Sequence, residues 1–188
     1  MIDERRVAHF LMMGQVATKE LAASPSIAPS QSLFVSQAYD LSALLPSAVS
    51  EAFSASEAYK LLFVFERYLR ELVVEALSSD GTQDWWQSVP KDVQDEIAHL
   101  EETEESKSWM ALGSRDRSAL LTYPQLLRTI DHCWKSHFEE LLRDKSLMHE
   151  ARLISHLRNT ICHMTPVSEE EIERIKQTMR DWFRMVAP

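Results

Sequence analysis

The sequence predicts an all-α protein, a compact antiparallel helical bundle with an N-terminal helical appendage. Apolar residues recur at helical spacing along nearly the whole chain. The chain has only three Gly in 188 residues, too few for the tight turns of a β-rich fold, and we expect no β-hairpin. The length allows one domain with a core of its own. We place that bundle at residues 51–188, behind an appendage and linker at residues 1–50.

The N-terminal appendage combines a weak helix with a linker. Residues 2–22 predict an amphipathic helix, and the Ser/Pro-rich segment 23–32 predicts a linker because its prolines interrupt any helix. Residues 33–53 contain a short element that we expect to end at Pro46.

The central helix of the bundle is predicted over residues 55–78, where Ser54 and Glu57 form an N-terminal capping pair. This helix is apolar on most sides, which is typical of a helix in the middle of a bundle. Glu66 lies within its main apolar stripe, and Arg70, one turn later, is its nearest partner. That stripe consists of Tyr59, Leu62, Phe63, Leu69, Val73 and Leu77.

The remaining helices are predicted from apolar spacing and from capping signals. Thr122 with Gln125, and Ser168 with Glu171, have the spacing of capping boxes, in which each side chain bonds the backbone of the other. The predicted segments are a helix at 91–102, a polar loop at 103–121, helices at 122–142 and 146–162, and a last helix after Ser168 that runs to Val186.

Charge and composition exclude several functions. The formal net charge is −9, and the excess of acid is concentrated in residues 92–105. Because nucleic-acid binding over a broad surface needs concentrated positive charge, we expect at most a short basic site. No apolar run is long enough to span a membrane. Cys133 and Cys162 make no disulfide framework, so we expect a cytoplasmic protein.

Histidines suggest a metal site, but their spacing does not support one. Five of the seven His lie between positions 132 and 163. His149, His156 and His163 are spaced by seven residues, which separates neighbours by about 10 Å along a helix. One ion cannot bridge that distance. We therefore expect no metal and no other cofactor.

In the last turns of the predicted 146–162 helix, one arginine lies on the side that is otherwise apolar. Arg158 falls among the apolar positions, where an unpaired charge is very costly, and Glu66 is the candidate partner. Two interpretations remain open. Either the two residues form a structural ion pair beside a merely solvent-exposed polar stripe, or this region is a functional site. The polar stripe consists of His149, Arg152, His156, Asn159 and His163.

A longer motif resembles one protein family. Residues 158–163 read Arg-Asn-Thr-Ile-Cys-His, and residues 166–170 continue with Pro-Val-Ser-Glu-Glu. This pattern, with Glu66 and Arg70 on the first bundle helix, resembles the HEPN superfamily of small helical domains, several of which are ribonucleases. The resemblance extends from Tyr59 to Val186.

The resemblance implies a metal-independent endoribonuclease of the toxin or anti-phage defence type, in which a 2′-hydroxyl attacks its own phosphate. It implies Arg158, Asn159 and His163 as the catalytic residues. Glu66 and Arg70 would support and orient them. Imidazole suits proton transfer near neutral pH, and guanidinium matches phosphate oxygens.

The resemblance also implies partners. Arg158 and His163 lie about 140° apart around a straight helix, so one such helix cannot direct both side chains at the same phosphate. In the HEPN nucleases that this chain resembles, two domains dimerise and combine their motifs in a shared cleft. We therefore expect a homodimer with a composite site, acting on RNA such as tRNA, with Arg152 and His156 as RNA contacts. An antitoxin or defence-system partner is a further expectation. The alternative is a non-catalytic HEPN-type module for dimerisation or partner binding.

Overall fold

A computed structural model describes residues 13–15, 32–37, 39–79, 81, 84–106 and 116–186 of the chain. The chain divides into two compact units between Phe53 and Ser54. Residues 13–15 are helical. The rest of the helix predicted over 2–22 lies outside the described residues, as does all of the 23–32 linker except residue 32.

The first unit contains a short β-ladder that the sequence prediction missed. Strand β1 (Phe34–Ser36) pairs antiparallel with strand β2 (Tyr39–Asp40), and a short 3-10 helix follows at Leu41–Ala43. The Asp40 carboxylate closes the turn by accepting the backbone N–H groups of Leu33 and Ser42. The expectation of no hairpin was therefore wrong. The ladder buries no apolar face and depends on polar turn contacts, so alternating hydrophobicity could not reveal it.

The central helix, α1, runs from Pro46 to Ser78. The prediction placed its start at residue 55 and treated Pro46 as the end of the preceding element, and both expectations were wrong. Proline fits the first turn of a helix because its missing N–H would have no partner there. Within the second unit, one side of α1 is buried through Ala58, Leu62, Phe65, Leu69, Leu72, Val73 and Leu77.

The acidic segment of the chain forms α2 (Lys91–Ser106), which follows a 3-10 turn at Trp85–Ser88. This helix is longer than the predicted 91–102, and the region predicted as a loop contains the short helix α3 (Arg117–Leu120). Two carboxylates of α2 are tied to the rest of the bundle by Arg128, whose guanidinium nitrogens lie 2.8 Å from Asp92 Oδ2 and 2.6 Å from Glu96 Oε2.

The predicted helix over 122–142 is interrupted. It consists of α4 (Tyr123–His132), a π-helical segment at Trp134–Phe138, and α5 (Glu139–Leu142). The wider π turn keeps Trp134 and Phe138 buried. The predicted cap at Thr122 is present, because its backbone N–H donates to Gln125 Oε1 at 2.8 Å.

The last two helices match their predicted positions. Helix α6 spans Ser146–Cys162, and helix α7 spans Glu169–Val186. The capping box at the start of α7 is formed: Ser168 N–H donates to Glu171 Oε2 at 3.1 Å, and Glu171 N–H donates to Ser168 Oγ at 3.3 Å. Local signals at both ends of the connection therefore determine where these helices begin and end.

The core of the second unit lies between α1, α4, α6 and α7. The Phe65 ring packs edge-on against Trp182, with centroids 5.6 Å apart. It also packs against Tyr123 with the two rings tilted by 50° and their centroids 5.9 Å apart. These contacts confirm the predicted all-α bundle. Among the residues that the structure describes, no helix is both long enough and apolar enough to cross a membrane.

Candidate functional site

Arg158 lies on the buried side of α6, as its position among the apolar residues predicted. It shares that side with Ala151, Ile154 and Ile161, which are all buried. Its own side chain keeps 27% of its surface exposed, and its Nε atom lies 3.8 Å from Glu66 Oε2 on α1. The guanidinium is thus half-buried at the junction of two helices, close to an acidic partner.

Glu66 is shared by two arginines. Arg70 Nη2 lies 3.2 Å from Glu66 Oε1 and also donates to the carbonyl oxygen of Leu121 at 3.0 Å. Arg158 is farther from Glu66 than hydrogen-bond distance. Within the described part of the chain it makes no hydrogen bond. Its donor groups are therefore available to an anion that enters from solvent.

Tyr123, in the first turn of α4, lies close enough to this cluster for the charge of Glu66 to act on its hydroxyl. The side chain is fully buried, and its hydroxyl donates to the carbonyl oxygen of Ala151 at 2.8 Å. Burial raises the pKa of Tyr123, and the negative charge of Glu66 raises it further. The phenol therefore stays neutral. Sequence reasoning missed this residue, because nothing in its local pattern separates it from an ordinary core aromatic.

His163 lies at the C-terminal cap of α6, where the helix ends in a Schellman motif. Met164 N–H donates to Ile161 O at 3.0 Å, and Thr165 N–H donates to Thr160 O at 3.1 Å. Met164 has φ of 58°, in the left-handed region that this motif requires and that glycine usually occupies. The His163 side chain is exposed, and its backbone is held by these cap bonds.

The helix remains intact between Arg158 and His163. Helix α6 continues to Cys162, so the two side chains point about 140° apart. Arg158 faces α1, whereas His163 faces solvent together with Asn159, about 40° away from it on the same side. One chain therefore does not bring the guanidinium and the imidazole to the same point.

The predicted polar stripe of α6 is exposed along its whole length. Its members are His149, Arg152, His156, Asn159 and His163. Arg152 Nη2 lies 2.7 Å from Asp131 Oδ2, and Lys145 Nζ lies 2.8 Å from Asp131 Oδ1. Hydrogen bonding from Lys145, together with the contact from Arg152, lowers the pKa of Asp131. Arg152 is therefore held in place but remains half exposed, whereas the His156 ring is simply exposed.

Metal-ligating side chains do not converge in the part of the chain that the structure describes. No group of three or more His, Cys, Asp or Glu residues there has the arrangement needed to hold an ion.

Glu66 and helix α6 both lie within the part of the chain that matches a protein family. The family model described as Swt1-like HEPN matches residues 60–187. The chain belongs to the Swt1-like HEPN family. No curated protein and no solved structure matches the chain. The matched range contains Glu66 and Arg70 on α1 and residues 158–163 at the end of α6.

Proposed function

We propose that this chain is a metal-independent endoribonuclease whose site is assembled from two copies of the HEPN domain. The observation that carries the proposal is the placement of Arg158. Its guanidinium lies beside Glu66 without hydrogen-bonding to it, half-buried and open to solvent. Such a group is positioned to bind a phosphate, because its fork of donors matches two phosphate oxygens.

The proposed reaction needs no metal and no added reactant. The 2′-oxygen of the RNA forms a bond to phosphorus while the bond from phosphorus to O5′ breaks, which gives a 2′,3′-cyclic phosphate and a 5′-hydroxyl. One imidazole accepts the 2′-hydroxyl proton, and another imidazole donates a proton to O5′. His163 supplies one imidazole per copy, and Arg158 stabilises the charge that builds up on the phosphorane.

Two copies are part of the proposal because one chain lacks the required geometry. Arg158 and His163 lie on different sides of an intact helix, and each copy has a single motif histidine. Asn159 shares the exposed side with His163 and would hydrogen-bond to the imidazole or to the phosphate. Arg152 and His156, both exposed on α6, would contact the RNA backbone.

We further propose a toxin or anti-phage defence role, with a structured RNA such as tRNA as the substrate. An antitoxin or another component of the defence system would then control the enzyme. The net charge of −9 favours an RNA held at a few phosphates over one held across a broad surface.

Cleavage of labelled tRNA by the purified protein in the presence of EDTA tests the proposal. Arg158→Ala and His163→Ala are each expected to lower the rate at least about 100-fold, whereas the matched control His99→Ala, in an exposed histidine of α2, leaves it unchanged. An excess of His163→Ala is expected to lower the cleavage rate of the wild-type protein, because a mixed dimer keeps only one of the two imidazoles. Equal RNA integrity with all folded variants and with the wild type would rule out the enzyme.

The alternative, a non-catalytic module, is favoured by one observation: Glu66 joins α1 to α6 through Arg158. In that case Arg158→Ala would unfold the protein and His163→Ala would have no effect. Circular dichroism of both variants separates this outcome from catalysis.

A further inference from the structure

The two arginines beside Glu66 contact its carboxylate unequally. Arg70 Nη2 lies 3.2 Å from Glu66 Oε1, within hydrogen-bond distance, whereas Arg158 Nε lies 3.8 Å from Oε2, beyond it. Only 20–27% of each of the three side chains is exposed. Hydrogen bonds between charged groups are strong in such surroundings. The arginine that bonds Glu66 therefore determines whether the other one stays open to a ligand.

Arg70 is held in place by groups other than Glu66. Its Nη2 also donates to the carbonyl oxygen of Leu121 at 3.0 Å, and Leu121 is the C-terminal cap of the short helix α3. The N-terminal cap of α3 is Asp116. Hydrogen bonds from Ser118 lower the pKa of Asp116, and the positive charge of Arg70 lowers it further. Arg70 thus bonds one end of α3 and lies close to the other, so its position does not depend on Glu66 alone.

The orientation of the Arg70 guanidinium is not the one that satisfies most of its own donors. Among the residues that the structure describes, its Nε is buried and has no hydrogen-bond partner, and a buried donor without a partner carries a cost. Both bonds to Glu66 and Leu121 leave from the single atom Nη2. The orientation therefore holds Glu66 Oε1 at the expense of Arg70 itself.

We infer that Arg70 is a positioning residue that keeps Glu66 from closing onto Arg158, so that the Arg158 guanidinium stays open to a phosphate. Without Arg70, the Glu66 carboxylate has to move only about 1 Å to reach hydrogen-bond distance from Arg158 Nε. A guanidinium that is free for only part of the time binds its ligand with proportionally lower affinity. The inference rests on the proposed function in one respect, that Arg158 is the group that binds phosphate.

Titration of the full-length chain with inorganic phosphate, followed by NMR at the Nε–H group of Arg158, tests the inference without requiring cleavage. The signal is assigned by its loss in Arg158→Lys. Arg70→Met is expected to weaken phosphate binding at least about tenfold, because a charge-assisted bond to Glu66 then opposes it. Arg67→Met is the matched control. Arg67 pairs with Glu71 at the same i,i+4 spacing but is 68% exposed, so the affinity is expected to stay within about twofold.

Loss of a nearby positive charge would also weaken phosphate binding, and Glu66→Gln separates the two causes. With Arg70 present the carboxylate is already held, so Glu66→Gln is expected to tighten binding by no more than about threefold. In the Arg70→Met background the same substitution removes the group that closes onto Arg158, and it is expected to tighten binding at least about tenfold. Such a difference between backgrounds measures coupling, whereas an effect of charge alone would be the same in both.

A second variant covers the case in which Arg70→Met does not fold. Arg70→Lys keeps the positive charge beside Asp116 but lacks the planar fork that bonds Glu66 and Leu121 together, and a coupling of at least about threefold is expected.

The inference and the proposed function fail in different ways. Equal effects of Glu66→Gln in both backgrounds, in a protein that cleaves RNA, contradict the inference alone. A wild-type Arg158 signal that phosphate leaves unchanged also overturns the inference. Coupling in a protein that leaves labelled tRNA intact supports the inference and contradicts the ribonuclease.

Discussion

The Tyr123 hydroxyl donates to the carbonyl oxygen of Ala151 across a distance of 2.8 Å, inside the buried junction between α4 and α6. This bond links the first turn of α4 to the helix that carries the motif. Burial raises the pKa of the phenol, and the charge of Glu66 raises it further. The arrangement of the site therefore depends on a residue that takes no part in the proposed chemistry.

Tyr123→Phe is expected to lower the free energy of unfolding by about 1 kcal/mol, because one buried hydrogen bond is lost while the ring is retained. Urea unfolding measures the change as a lower midpoint with an unchanged slope. Tyr39→Phe is the control, since that ring is exposed in β2. Equal midpoints for the Tyr123 variant and the wild type would contradict the role given to this bond.

Glu66→Gln is expected to lower the free energy of unfolding by about 1–3 kcal/mol, because two partly buried arginines lose their shared negative charge. Glu71→Gln is the matched control. Glu71 pairs with Arg67 at the same i,i+4 spacing, but both side chains are about two-thirds exposed, and such pairs contribute little. Thermal unfolding of both variants measures the two losses of stability. Similar losses would show that partial burial does not strengthen the ion pairs of Glu66.

Met164→Gly is expected to raise the free energy of unfolding by about 0.5–1 kcal/mol, because glycine adopts a positive φ without the steric cost that methionine incurs. The Met164 side chain is 88% exposed, so its removal loses almost no packing. Met164→Ala separates the two effects, since alanine removes the side chain and keeps the strain. A glycine variant no more stable than the alanine variant in urea would be evidence against a strained cap.

Asp131→Asn is expected to reduce stability at neutral pH and to change its dependence on acid. Because Lys145 and Arg152 lower the pKa of Asp131 below its ordinary value of 3.8, the folded state binds fewer protons there than the unfolded state. The stabilisation is therefore complete above about pH 4 and is lost as the pH falls through the lowered pKa. Unfolding midpoints of both proteins at pH 7 and pH 2 test this, with a smaller gap between the two proteins expected at pH 2 than at pH 7.

Much of the site was predictable because it depends on strong local or energetic rules. The helix containing Arg158 ends where Pro166 and the Ser168–Glu171 capping box require a break. The contact of Arg158 with Glu66 follows from the cost of leaving a charge unpaired among apolar residues. These rules hold whatever the rest of the chain does, so one sequence suffices to apply them.

Other features depend on tertiary context that the pattern of residues does not contain. Periodicity shows that Tyr59 shares a face with Val73, but not that Tyr59 is exposed whereas Val73 is buried. The π-helical segment at Trp134–Phe138 and the start of α1 at Pro46 likewise reflect packing and the fit of proline to a first turn. The left-handed Met164 had no glycine to indicate it.

The connection between α6 and α7 has a kinetic consequence for the proposed enzyme. His163 is followed by a cap closed through Thr160 and Thr165, and the next helix is closed by Ser168 and Glu171. These hydrogen bonds hold the backbone of His163 at the end of α6, on a different side of that helix from Arg158. Activity would then depend on encounters between whole molecules, and the rate per mole of protein would fall on dilution.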